Sequence, residues 1–248
     1  MRSIIALLGV ISAASFFGPC MAQRRLVGGT DADIYKYSFV VGITFQRELF
    51  GNGAILSKRW VLTAASTFYQ TPHSAYHVIA GAEDYFGEAK WFQVERAILH
   101  PEWTGWTHNI ALVLISGSFS YTSRVQPINL ASSNPDTLQA QMLSFGINEH
   151  GTRRLREATF FLTSDQNCVN QLTDFFAKQF VEQRQAYCLL PGPGPAKGQW
   201  YNDVGAPLVA GNELYAVFAF NENGGGGNQG AVATRVGFFR NWIESAIG

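Results

Sequence analysis

The sequence predicts an all-β fold: two antiparallel β-barrels in succession, closed off by an amphipathic α-helix at the C-terminal end. Three observations carry this. Short strand-like runs separated by turns recur through both halves of the chain. Twenty-five glycines and an aromatic content of 14% favour strands and turns over helices. Near the end, Val236, Phe239, Trp242 and Ile243 repeat at helical spacing. The 248 residues suffice for one large all-β domain or two small ones, and 47% hydrophobic against 15% charged residues allows a sizeable core and excludes a disordered chain. The formal net charge is zero, which argues against nucleic acid or an acidic membrane as the main partner, since both require a basic footprint.

Residues 1–22 read as a signal peptide: Arg2, an apolar run from Ile4 to Phe17, and Cys20-Met21-Ala22 as a small-residue cleavage site. The run is too short to span a bilayer well. Gly18-Pro19 and Arg24-Arg25 follow at once, which weighs against a buried first helix. No later stretch looks transmembrane, so a secreted, extracellular protein is expected. Cys20 falls in the removed segment, and Phe17-Gly18-Pro19 before it is a poor lipid-attachment motif. Cys168 and Cys188 remain, an even pair in an oxidising compartment, and are expected to form a disulfide; two free buried thiols are the alternative.

The first set of strand-like runs is Phe39 to Ile43, Ala54 to Leu56, Trp60 to Ala64, His77 to Ala80, Trp91 to Val94 and Ile110 to Leu114. Ser116 to Pro127 reads as a polar crossover. The second set is Gln141 to Gly146, Arg156 to Phe161, Ala186 to Leu190, Leu208-Val209, Tyr215 to Phe220 and Gly230 to Val236. Gly224 to Gly227 lacks the strand, helix and Lys-Ser/Thr of a phosphate-binding loop and reads as a flexible loop. None of the five histidines is spaced like a metal site, and neither a metal nor a cofactor is expected.

Asn202-Asp203-Val204-Gly205-Ala206-Pro207-Leu208-Val209 resembles the GDSGGPLV signature of the chymotrypsin/trypsin-like (S1) serine protease family, with Val204 where the attacking serine belongs. Gly51 to Ser57 followed by Trp60 to Thr67 resembles the family's CGGSLIS…WVLTAAHC, with Ser66 at the histidine position. His108-Asn109-Ile110-Ala111-Leu112 resembles NDIAL, with Asn109 at the aspartate position. The resemblance covers essentially all of the chain after the leader. It implies two six-stranded barrels, the first over about 26–125 and the second over about 126–235, with the terminal helix over about 236–246. Arg24-Arg25-Leu26-Val27-Gly28-Gly29 resembles the family's activation site. This implies that residues 23–25 form a short propeptide before a domain of residues 26–248, and that cleavage after Arg25 frees a Leu26 amine to pair with Asp203.

The mechanism of such a protease needs a serine Oγ, a base to take its proton and an acid to orient the base. Valine carries only methyl groups. No serine lies between Ser164 and Ser245 and no histidine precedes His73, so no small shift of alignment restores either group. The resemblance extends to a degenerate substrate cleft of Gly198, Asn202, Ala219, Phe220 and Asn221. Gly198 would form a pocket floor without an acid, and Asn202 would replace an oxyanion-hole glycine. Gly51 and Thr67 replace both cysteines of one family disulfide, and Trp200 replaces a cysteine of another. Phe175 and Tyr201 are aromatics that could anchor a partner. The expectation is a monomeric, non-catalytic homologue that binds a protein, as a cofactor, decoy or regulator. The alternatives are a serine-type endopeptidase or other hydrolase with a rearranged site, Ser66 being its candidate nucleophile, and a relic scaffold without a selected ligand.

Overall fold

The computed structural model describes residues 28–70, 72–85, 87–145, 153–193, 201–222 and 230–248. The leader, residues 23–25, Leu26, Gly198, Trp200 and the run 224–227 lie outside the described residues.

The described residues form fourteen strands: β1 (Thr30–Asp31), β2 (Val40–Phe45), β3 (Glu48–Ile55), β4 (Trp60–Thr63), β5 (Tyr76–Ala80), β6 (Lys90–Leu99), β7 (Ala111–Ile115), β8 (Asn129–Leu130), β9 (Thr137–Phe145), β10 (Leu155–Thr163), β11 (Ala186–Pro191), β12 (Pro207–Ala210), β13 (Glu213–Asn221) and β14 (Ala231–Arg235). The first barrel closes in the order β2-β3-β4-β7-β6-β5, with β5 pairing back onto β2. In the second, β9-β10-β11-β14-β13-β12 closes where β12 meets β9. Six antiparallel strands per barrel agree with the expectation. Closure leaves neither barrel with a free sheet edge. The β2–β3 hairpin turns through Gln46 and Arg47, both left-handed with φ of 50° and 71°, as a two-residue type I′ loop requires.

Side-chain alternation sorts the core into three parts. Val41, Ile43, Ile55, Val61 and Val78 fill the first barrel. Met142, Phe160, Leu162, Leu208 and Phe218 fill the second. The opposite faces of the same strands, including Val40, Leu62, Leu112, Leu143, Phe145 and Val217, join a third cluster with Val236, Phe239 and Ile243. Those last three residues lie on α3 (Val236–Ile247), the terminal helix expected from their spacing.

Two shorter helices were not expected: α1 (Gln166–Gln171) and α2 (Phe175–Glu182). Two strands start or end well outside their predicted runs. β3 begins six residues before Ala54, and β6 continues five residues past Val94 across a bulge between Val94 and Arg96. Residues 116–127 carry no named strand, only an isolated bridge between Thr122 and Val125. Among the described residues, no helix is long and apolar enough to cross a membrane.

Candidate functional site

Strand β4 ends at Thr63 and the chain turns into a 3-10 helix, Ala65–Phe68, which presents Ser66. Asn109 is fully buried just before β7. The two side chains meet reciprocally. The Ser66 backbone N–H donates to Asn109 Oδ1 at 2.9 Å, and Asn109 Nδ2 donates to Ser66 Oγ at 3.0 Å. Asn109 Nδ2 also lies 3.5 Å from the Ala219 carbonyl, and the Asn109 carbonyl accepts from Thr234 Oγ1 at 2.7 Å. The amide is thereby committed at both ends. Its oxygen already accepts from a backbone N–H, and its nitrogen donates to the hydroxyl oxygen that would have to lose a proton.

Val204 follows a 3-10 turn, Tyr201–Asp203, and is nine-tenths buried. Its carbonyl accepts from Asn52 N–H at 2.8 Å, which ties the turn to β3. Its side chain lies against Gly51, which Thr67 also adjoins: a Cβ built on Gly51 would sit 3.0 Å from both Val204 Cγ1 and Thr67 Cγ2. The two positions expected to have lost a disulfide are therefore adjacent, and the valine packs against Gly51. Gly205 has φ +74°, and a Cβ there would land on Thr63 Oγ1 and the Asn52 carbonyl, so this turn admits only glycine.

Asn52, which the sequence reading did not single out, joins the two barrels at this point. Its Oδ1 accepts from Phe145 N–H at 2.8 Å, and its Nδ2 donates to the Asn202 carbonyl at 3.0 Å. Asn202 in turn donates from Nδ2 to the Leu49 carbonyl at 2.6 Å. The side chain at 202 thereby ties the turn to β3, and its φ lies outside the left-handed region. A signal was available in Gly51-Asn52-Gly53: an amide inside a strand needs a specific partner when it is buried.

Asp203 is completely buried and accepts from Ser144 Oγ at 2.5 Å. Its expected partner, the Leu26 amine, lies outside the described residues, as does Arg25. Along β13, Ala219 is buried and Asn221 closes the strand opposite Ala231. Phe220 between them takes the edge of Trp106 at 4.6 Å and 87°. That aromatic contact was also missed, because Trp106 sits in an irregular segment without periodicity. Phe175 is 68% exposed beside Phe176. Only the backbone of Tyr201 is described.

The histidines lie elsewhere. His73 packs on Phe68 and Tyr76, and His77 on Trp91. His100 and His108 stack on one another beneath α3. Among the described residues no histidine, lysine or carboxylate bonds to Ser66, whose polar partner is Asn109. None of them forms a cluster able to hold a metal ion. Cys168 and Cys188 form the expected disulfide, Cα atoms 5.9 Å apart, joining α1 to β11.

A family model described as Trypsin matches residues 26–243. A protein named Trypsin from Phaedon cochleariae is 23% identical, covering 97% of this chain and 95% of its own. Chymotrypsin-2 from Vespa crabro is 28% identical over 88% and 98% respectively. Among solved structures, the scabies mite inactivated protease paralogue S-D1 superposes with a TM-score of 0.79 at 21% identity, over 90% of this chain and 97% of that one. Mouse neuropsin superposes with a TM-score of 0.75 at 20% identity, over 90% and 100%.

Proposed function

Because the chain belongs to the trypsin-like serine protease family, we propose that it is a secreted, non-catalytic member that works by binding protein through what remains of the substrate cleft. The observation that carries this reading is the reciprocal Ser66–Asn109 pair. In the family's chemistry a base removes the nucleophile's proton while a carboxylate holds the base in its working tautomer. Here the residue at the base position is Ser66, and its partner is an amide with no free acceptor directed at it. The residue at the nucleophile position, Val204, has no lone pair in its side chain and is packed against Gly51. Ser66 itself is a poor substitute nucleophile. Its Oγ accepts from Asn109, and no described group stands ready to take its proton.

The framework around this site is intact, and that supports binding over decay. Gly205, Asp203 and Asn52 hold the 202–206 turn against both barrels. Ala219, Phe220 and Asn221 lie on β13, and the family segment they resemble pairs with peptide backbone. The apolar leader of residues 1–22 and the Cys168–Cys188 disulfide support secretion.

The test is peptide-library turnover by the chain beginning at Leu26, beside the triple variant Ser66→His, Asn109→Asp, Val204→Ser. Silence from the natural protein with turnover by the triple variant is the expected result, and it locates the partner search at the cleft. Cleavage by the natural protein above a heat-denatured control overturns the non-catalytic reading. Silence from both sends the partner search to the outer loops.

A further inference from the structure

We propose that the stacked His100–His108 pair is an acid-sensitive latch holding α3 to the segment that carries Asn109. The two rings lie 4.8 Å apart at 24°. His100 packs on Phe239 at 5.2 Å and Trp242 at 4.9 Å, and His108 packs on Phe239 at 5.6 Å. Both imidazoles thus serve as apolar packing for the terminal helix, a role suited to their neutral form.

The hydrogen bonds identify which nitrogen is bare. His100 Nδ1 accepts from the Glu102 backbone N–H at 3.3 Å, so Nδ1 carries the lone pair. His108 Nε2 faces Glu102 Oε2 at 3.0 Å and is the donor, which leaves its buried Nδ1 as a lone pair with no partner. Protonation therefore falls on Nδ1 in both rings. At His100 it sets a new N–H against the Glu102 N–H, and at His108 it creates a buried donor with nothing to receive it. It also stacks two cations.

Burial depresses the affinity of both rings for protons. The charge of His108 depresses His100 further, and Glu102 opposes the effect on each. Glu102 is largely exposed, so solvent screens its help. The charged side chains of α3, Arg240 and Glu244, pair with one another at 2.8 Å, and Arg240 also donates to the Ala131 carbonyl. They supply no counter-ion to the rings. Because the folded values lie below the unfolded ones, the unfolded chain takes up protons first. The contribution is complete above about pH 6.5 and is lost as pH falls through the folded values.

His108 immediately precedes Asn109, so release of the rings loosens the segment that holds Ser66 and the Thr234 hydroxyl. His108 also has φ 54°, a conformation that asparagine tolerates, which makes His108→Asn a conservative probe. The experiment is amide hydrogen exchange of the intact chain at about pH 7.5 and about pH 5.5, corrected for intrinsic rates. Amides of residues 236–247 should exchange roughly ten-fold faster at the lower pH, and His100→Phe/His108→Asn should abolish that difference. His73 and His77 remain in the variant as internal controls. Equal loss of protection in both proteins, or none in the natural one, overturns the proposal. Should the double variant fail to fold, NMR titration of the natural protein decides instead. Both rings should titrate below the ordinary histidine value as the Nε2–H tautomer, and titration at or above that value overturns the latch.

Discussion

Gly51 has no room for a side chain, and the reason is the residue at 204. A Cβ at 51 would stand 2.8 Å from the Val204 carbonyl oxygen and 3.0 Å from both Val204 Cγ1 and Thr67 Cγ2. Gly51→Ala should therefore destabilise the protein by about 1–3 kcal/mol, the usual cost of overpacking a filled core. Val204→Ala removes the Cγ1 contact but leaves the carbonyl, so the double variant should recover part of the loss. A calorimetric double-mutant cycle measures this, and strictly additive effects would show that the two positions do not share one space. The resemblance implied that Gly51 and Thr67 stand where the family has a pair of cysteines. It could not reveal that Val204 packs against Gly51, because that contact joins residues about 150 positions apart in the chain. Asn52 was hidden for a related reason. Its Oδ1 and Nδ2 partners, Phe145 and Asn202, both belong to the second half of the chain.

Elements were legible where periodicity ran long enough to be counted. α3, twelve residues with Val236, Phe239 and Ile243 on its buried face, could be read from spacing alone. The six residues of α1 and eight of α2 are too short for that test, although Asp165 and Asp174 cap them by accepting from Cys168 N–H and Ala177 N–H at 2.9 Å each. The first half of β3 lies outside the strand-like run Ala54 to Leu56, since Gly51-Asn52-Gly53 has no strand propensity, yet the crowding around Gly51 requires glycine within the strand. What fixes α1 is the disulfide: Cys168 is fully buried on the helix, while Cys188 pairs within β11 to both Thr163 and Val232. Replacing both cysteines with alanine should cost roughly 3 kcal/mol, mainly by releasing a loop in the unfolded chain. Urea unfolding checks this, and an unchanged midpoint would mean that the α1–β11 contact is held by packing alone.

At the scale of the molecule, the resemblance made both barrels legible but said little about how firmly they are joined. Each strand's inward face fills its own barrel, while the outward faces of β2, β4 and β7 meet those of β9, β12 and β13 in one shared cluster. Val40, Leu62 and Leu112 come from the first barrel; Leu143, Phe145, Val209 and Val217 come from the second, and α3 seals the group with Val236, Phe239 and Ile243. Hydrogen bonds cross the same boundary from Asn52 to Phe145 and Asn202, and from Thr234 to Asn109. An interface this apolar and this bonded resembles a core more than a contact between domains. The barrels should therefore unfold together despite a length at which separate transitions are common. Four of the six tryptophans, Trp60, Trp91, Trp103 and Trp106, lie in the first half of the chain, so their fluorescence weights that half, whereas far-UV circular dichroism weights both. The two urea curves should coincide in the disulfide-intact protein. Phe145→Ala, which empties a side chain from the shared cluster, should cost about 3–5 kcal/mol and move both curves equally. A fluorescence midpoint that stays in place while the dichroism midpoint shifts would mean that the first barrel stands alone, and that the boundary between the barrels opens at a much lower cost than this packing implies.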